Sequence, residues 1–118
     1  TAYINEFDCL LGKEVITNAQ LATIFTEFSE AKIRRISGVN QRFSVGKDGL
    51  SSLFGSEAAE LFFDKYGIER DSIDYLIFCT ECPDYMAPAT SCIVQSRLSL
   101  PTSIGTFDLS FGCSGYTY

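Results

Sequence analysis

Apolar residues recur at two different spacings along this chain, and the alternation between them predicts helices interleaved with strands. Helical spacing is clearest where six apolar side chains share one face: Leu50, Leu53, Phe54, Ala58, Leu61 and Phe62. Gly67 follows at a position that ends such helices. The nearly continuous apolar run over residues 73–80 is instead typical of a parallel strand covered on both faces.

The same criteria predict elements on either side of this pair. In chain order they are a strand over 2–11, a helix over about 18–28, an irregular stretch over 30–40, a strand over 41–45, a loop over 82–87, a helix from Pro88 to Pro101, a strand over 104–111 and the start of a helix at Tyr116. Thr17 and Gln20 have capping-box spacing, which supports the first helix. The alternation predicts an α/β fold, with helices layered on a sheet.

Composition narrows the class of protein without identifying it. The 118 residues fit one small domain, and 46% of them are apolar, enough to fill a core. There is no apolar run near the roughly 18–20 residues that a membrane span needs, so no membrane association and a cytoplasmic location are expected. The net charge of −6 disfavours nucleic acid as a partner.

Five cysteines and no histidine restrict the possible chemistry. Cys79 and Cys82 have C-x-x-C spacing, but no second pair and no His complete a zinc ligand set, so no metal site is expected. Cys79 is expected to close a strand, which favours a structural role for the pair over a redox role. Without His, a base for nucleophilic chemistry must come from elsewhere. The chain is therefore expected to be either not an enzyme or a fragment of one.

One segment has the pattern of a nucleophile turn. Residues 108–115 read DLSFGCSG, a predicted strand that runs into small residues and carries Cys113 where the next helix would begin. Backbone N–H groups at a helix start favour a thiolate and can stabilise an oxyanion. The alternative is a buried cysteine in a tight turn between a strand and a helix.

This segment resembles the active-site segment of the 3-ketoacyl-acyl-carrier-protein synthase III family, which are thiolase-fold condensing enzymes. Further segments that resemble the family, in matching order, are VITN at 15–18, SGVNQR at 37–42, CTECPDY at 79–85 and PATSCIVQ at 88–95. The resemblance implies that residues 1–118 form the N-terminal part of the first half of a thiolase-like fold, a layered α/β arrangement with a mixed sheet. The second half would be absent.

The resemblance also implies a reaction. Cys113 would accept an acyl group from an acyl-CoA or other acyl thioester starter. Malonyl-acyl-carrier protein would then condense with it in a decarboxylative Claisen reaction, in fatty acid or related lipid or polyketide biosynthesis. The family's His and Asn would lie beyond Tyr118, so the chain alone is expected to be inactive. No cofactor is expected, and the family's homodimer would pair the strand at 104–111 with its own copy.

Two regions depart from the family pattern. The resemblance places Lys32 and Ile36 at the positions of the Trp and Arg that grip CoA in the family. A basic cluster nearby is either a solvated face or a binding site for CoA or carrier phosphate; it consists of Lys32, Arg34, Arg35 and Arg42. By the same resemblance, Ala87 and its neighbour Met86 would line the acyl pocket, where Ala leaves room for starters bulkier than acetyl.

Two other functional classes remain open from the sequence. One is a different thiolase-fold synthase, similar to hydroxymethylglutaryl-CoA synthase or to chalcone synthase. The other is a non-catalytic α/β binding module in which Cys113 is only a core residue. Fold resemblance by itself does not choose among these classes.

Overall fold

The computed structural model describes residues 3–118, which form two compact units. The small unit is Leu10–Asp48, and the large unit combines the residues up to Cys9 with Gly49–Tyr118.

The small unit consists of two short strands and two helices. They are β1 (Glu14–Thr17), α1 (Asn18–Ile24), α2 (Glu30–Ser37) and β2 (Gln41–Ser44). β1 and β2 pair antiparallel, with Glu14 opposite Ser44. The predicted capping box is confirmed, because the Thr17 hydroxyl accepts from the Gln20 backbone N–H at 3.2 Å and the Gln20 side chain accepts from the Thr17 N–H at 2.7 Å.

Helix α2 corrects the prediction of an irregular stretch over 30–40. The Ser29 side chain caps its first turn by accepting from the Lys32 N–H at 3.2 Å, and Gly38 ends it in the left-handed conformation at φ +69°. Few apolar residues mark this helix, so hydrophobic spacing alone did not reveal it. Its two ends nevertheless carry the Ser and Gly that favour a helix start and stop.

The large unit contains the α/β layer predicted from the sequence. Its elements are α3 (Ser51–Tyr66), β3 (Tyr75–Cys79), α4 (Thr90–Arg97) and β4 (Gly105–Leu109), with short 3₁₀ helices at Arg70–Ser72 and Cys113–Thr117. β3 and β4 pair parallel, in a register that sets Tyr75 opposite Gly105 and Cys79 opposite Leu109. Gly67 ends α3 at φ +62°, as predicted.

Helices α3 and α4 cover one face of this two-stranded sheet. The buried core is Phe63, Val94, Leu98 and Leu100, and Leu76 and Phe78 of β3 pack against it. The side chains on the opposite face of β3 are exposed to solvent: Tyr75 is 68% and Ile77 is 53% exposed. In the part of the chain that the structure describes, β3 is therefore covered on one face, and the prediction of burial on both faces is wrong there.

Three further predicted elements need correction. The first helix, predicted over about 18–28, ends earlier, at Ile24. Residues 3–12 have no regular secondary structure, and the expected strand over 2–11 is absent over its described part; residue 2 lies outside the described residues. The segment instead contacts α3, where Lys65 pairs with Asp8 at 2.8 Å and the Tyr66 hydroxyl donates to the Phe7 carbonyl at 3.2 Å. A strand requires a ladder partner, and residues 3–12 have none among the described residues.

The helix expected from Pro88 to Pro101 is shorter than predicted at both ends. α4 begins at Thr90 and ends at Arg97, with Leu98 as its C-cap. Its start is fixed by the Asp108 carboxylate on β4, which accepts hydrogen bonds from the Thr90 and Ser91 backbone N–H groups. That partner is distant in sequence, so the local proline signal placed the helix start too early.

Candidate active site

Cys113 lies on the turn that follows β4, as the sequence predicted. β4 ends at Leu109, and Cys113 opens a 3₁₀ helix that extends to Thr117. The Gly115 N–H donates to the Gly112 carbonyl at 2.9 Å and closes the turn around the cysteine. Cys113 is exposed, whereas Gly115 is buried. The helix expected to begin at Tyr116 is thus a short 3₁₀ helix that starts at the cysteine itself.

Asp108 ties the strand before this turn to the start of α4. Its two carboxylate oxygens accept from the Thr90 and Ser91 backbone N–H groups, each at 2.7 Å. Burial alone would raise the pKa of the Asp108 carboxyl, but the hydrogen bonds from the Ser91 and Thr90 N–H groups outweigh it and hold this pKa below its usual value. The side chain is therefore a charged cap at neutral pH.

The end of β3 supports the other side of the turn. The Cys79 thiol donates to the Phe111 carbonyl at 3.6 Å, and its sulfur occupies the space that a Cβ on Gly115 would need. The Glu81 carboxylate lies beside Gly112, with an oxygen 2.8 Å from the position of a Cβ there. The Cys79 sulfur thus leaves no room for a side chain at Gly115, whereas the exposed Glu81 side chain could move away from one at Gly112.

The five cysteines are all free thiols, and each is exposed. Cys79 is the last residue of β3, as predicted, and Cys82 lies in the loop beyond it. Among the described residues, no three His, Cys, Asp or Glu side chains are grouped as metal ligands. The structural role of the Cys79–Cys82 pair remains a prediction, although the contact with Gly115 gives Cys79 a defined packing partner.

The loop that carries the predicted acyl-pocket residues is held by α3. The Asp84 carboxylate accepts from the Ser52 N–H at 3.2 and 3.3 Å, and the Ser51 hydroxyl donates to the Cys82 carbonyl. Beyond these anchors, Met86 and Ala87 are exposed, Met86 completely. The described residues therefore do not enclose either side chain, and their role as pocket residues remains a prediction.

The predicted basic cluster lies within the small unit, mostly on α2. Arg34 and Arg35 are exposed and line an open hollow of about 670 Å³. The Lys32 ammonium lies 4.4 Å from the centre of the Phe28 ring. Arg42, on β2, is half-buried and donates to the Asn18 amide oxygen at 3.1 Å. Three of the four basic residues thus share one helix, and the fourth has a partner inside the unit.

Two residues of structural importance near the site were missed by the sequence analysis. Asp84 caps α3 and Asp108 caps α4, and neither helix has a side-chain cap from its own N-cap residue. An aspartate in a loop or strand does not indicate its partner when that partner is many positions away. The absence of a local cap at Leu50 and Ala89 was the available signal.

No helix within residues 3–118 is both long enough and apolar enough to cross a membrane.

Comparison with known proteins relates the sequence and fold of this chain to one group of enzymes. The chain is 32% identical over 106 residues to the beta-ketoacyl-[acyl-carrier-protein] synthase III of Sulfurovum sp. (strain NBC37-1), a match that covers 89% of this chain and 31% of that protein. It is 35% identical over 108 residues to the Ehrlichia canis (strain Jake) protein of the same name. That match covers 92% of this chain and 33% of that protein. The chain thus spans about a third of the length of the curated relatives it matches. No family model matches it.

Solved structures agree with this relationship. The crystal structure of 3-oxoacyl-[acyl-carrier-protein] synthase III from Aquifex aeolicus VF5 matches with a TM-score of 0.78 and 28% identity, over 92% of this chain and 34% of that one. The described residues therefore have the thiolase-like α/β fold of condensing enzymes. Within that class, the chain is a homologue of beta-ketoacyl-acyl-carrier-protein synthase III, as its motifs predicted.

Proposed function

We propose that the protein containing this chain is a beta-ketoacyl-acyl-carrier-protein synthase III-type acyltransferase, and that Cys113 is its acyl-accepting nucleophile. The observation that carries this proposal is the exposed Cys113 thiol on a tight turn after β4. Homology to synthases of this type over about nine-tenths of the chain supports it.

The proposed reaction has two stages. In the first, the Cys113 thiolate attacks the carbonyl carbon of an acyl thioester starter, and the thiol of CoA or of the carrier leaves. In the second, malonyl-acyl-carrier protein loses CO₂, and the resulting carbanion attacks the acyl-Cys113 carbonyl. A carbon–carbon bond forms, and the Cys113 thiolate departs. Because the 118 residues contain no His, the groups that assist decarboxylation belong to chain outside them in this proposal.

The remaining parts of the proposal concern partners. Arg34 and Arg35, beside the open hollow on α2, would contact phosphate of CoA or of the carrier protein, with Lys32 nearby. Ala87 and Met86 would border the acyl site. A homodimer through β4 is also proposed, since β4 pairs with β3 on one edge and has no ladder partner on the other among the described residues. A cytoplasmic location completes the proposal.

A condensation assay tests the function. The protein carrying this chain is incubated with acetyl-CoA, or a longer acyl-CoA, and malonyl-acyl-carrier protein, and the ketoacyl product is quantified. We expect product with the wild-type protein and with Cys82→Ala, and none with Cys113→Ala. Equal activity of Cys113→Ala and wild type would refute the role of Cys113. Absence of product from the wild type with every starter would refute the reaction.

A further inference from the structure

The contact between Cys79 and Gly115 joins the end of β3 to the turn that carries Cys113. Cys79 is exposed as a residue, yet its sulfur lies directly against the buried backbone of Gly115. A Cβ added at Gly115 would overlap this sulfur, but it would be 3.8 Å from the Cys79 Cβ and 3.2 Å from the Phe111 Cβ. The sulfur thus fills most of the volume that a side chain at position 115 would need, and the Phe111 Cβ crowds the rest.

Hydrogen bonds on either side make this contact relevant to the nucleophile. The Thr80 N–H donates to the Leu109 carbonyl at 3.1 Å and extends the ladder between β3 and β4 up to the turn. The Gly115 N–H donates to the Gly112 carbonyl at 2.9 Å, and Cys113 lies inside the loop that this bond closes. A group that displaces Gly115 from the end of β3 must therefore also shift the backbone that carries Cys113.

We propose that Cys79 is a positioning residue for the nucleophile: its sulfur, packed against Gly115, sets the placement of the 112–115 turn and hence of the Cys113 thiol. The proposal rests on the proposed function for the identity of Cys113 as nucleophile. In this positioning role Cys79 forms no covalent bond. It acts only through packing and through its hydrogen bond to the Phe111 carbonyl.

A purely structural role for Cys79 predicts a different result. In that case, variants at Cys79 and Gly115 would lower stability in proportion to the lost or excess volume, without a specific change in the acylation step. A positioning role instead requires that acylation respond to the total volume at this contact. Side-chain volume can be removed at Cys79 and added at Gly115. Combining the two changes therefore separates a positioning role from a purely structural one.

The experiment is a double-mutant cycle in the full-length protein with Gly115→Ala, Cys79→Ala and the combination. The rate of acyl-enzyme formation is measured in a single turnover at saturating acyl-CoA. Gly115→Ala should slow it by about tenfold to a hundredfold, since small displacements of reacting groups have effects of that order. The combined variant should recover part of this loss, because the new methyl occupies space that the sulfur vacates, although the methyl still lies close to the Phe111 Cβ.

Gly55→Ala is the matched control. Gly55 lies within α3 and is also crowded, by the Phe78 ring. It should lower the melting temperature without changing the acylation rate of the protein that remains folded. The proposal is overturned if the combined variant is as slow as Gly115→Ala, or if Gly55→Ala slows acylation as much as Gly115→Ala does.

A second readout separates this inference from the proposed function. The alkylation rate of Cys113 by iodoacetamide is measured in the same four proteins of the cycle. Trypsin places Cys113 after the cleavage site at Arg97, whereas Cys79, Cys82 and Cys92 share the peptide 71–97. If the wild type forms no acyl-enzyme, the proposed function fails. The positioning role is then tested only by comparing the alkylation rates of Cys113 in the four proteins. Recovery in the combined variant would support the role, and strictly additive rates would refute it.

Discussion

Replacement of Asp108 should destabilise the protein by removing the cap of α4. In the Asp108→Ala variant, the Thr90 and Ser91 N–H groups lose carboxylate partners at 2.7 Å. Ala89, the N-cap residue, has no side chain that could replace them. Both capped residues are fully buried, so water reaches the freed N–H groups poorly.

The expected size follows from these two hydrogen bonds. A hydrogen bond to a charged group contributes about 1.5–3 kcal/mol, and loss of a helix cap costs about 0.5–2 kcal/mol. Because the two bonds share one carboxylate, we expect Asp108→Ala to lower the free energy of unfolding by about 2–3 kcal/mol in total. Asp108→Asn retains one acceptor oxygen and should cost about 1–2 kcal/mol.

The effect should also depend on pH with a defined sign. The pKa of Asp108 is lowered in the folded protein, so its charged form stabilises the fold above the unfolded-state pKa of about 3.9. That contribution is lost as pH falls through the folded-state pKa. The difference in the free energy of unfolding between wild type and Asp108→Asn should therefore be constant from about pH 5 to 8. It should become smaller below about pH 4.

Urea unfolding of the full-length protein, followed by circular dichroism, measures both effects. Asp74→Asn is the control, because Asp74 is also an aspartate next to a strand of this sheet but is exposed. Asp74→Asn should change the unfolding midpoint little at any pH. The reasoning is refuted if Asp108→Ala and Asp74→Asn have equal effects, or if the difference for Asp108→Asn widens as the pH falls.

Three further predictions concern the other anchors and the proposed substrate contacts. Asp84→Ala should lower the free energy of unfolding by about 1 kcal/mol, less than Asp108→Ala, because it frees only the Ser52 N–H; thermal unfolding of both variants tests the order. Ala87→Phe should shift kcat/KM toward acetyl over longer acyl-CoA starters, and an unchanged chain-length profile would exclude Ala87 from the pocket. Replacing Arg34 and Arg35 together by Ala should raise KM for acyl-CoA more than KM for the acyl-pantetheine thioester, which lacks the nucleotide; equal changes would argue against a phosphate contact.

Local patterns predicted much of the secondary structure. The capping box at Thr17, the presence of α3 and the glycine at its end are each encoded within a few neighbouring residues, and the structure confirms them. The face predicted to be buried in α3 is not confirmed, because Leu53 and Leu61 are exposed, whereas the buried residues of this helix are Ser52, Ser56 and Phe63. Helix α2 was missed because only three of its eight residues are apolar, although Ser29 and Gly38 mark its ends. The turn at Cys113 was predictable because small residues follow directly on a strand.

Contacts between distant segments could not be predicted in this way. Asp108 caps a helix that begins 18 positions before it in the chain, and Asp84 caps one that begins more than 30 positions before it. The packing of the Cys79 sulfur against Gly115 depends on the register of β3 with β4, which the sequence does not specify. The coverage of β3 likewise depends on which segments pack on the sheet, rather than on the strand's own composition.

The central claim is that Cys113 accepts the acyl group, and peptide mapping of the acyl-enzyme tests it most directly. The full-length protein is incubated with acyl-CoA alone, digested with trypsin and analysed by mass spectrometry. The peptide that begins at Leu98 should carry the acyl mass, and fragmentation should place it on Cys113. Acyl mass on the peptide 71–97, which contains Cys79, Cys82 and Cys92, with none on Cys113, would contradict the account.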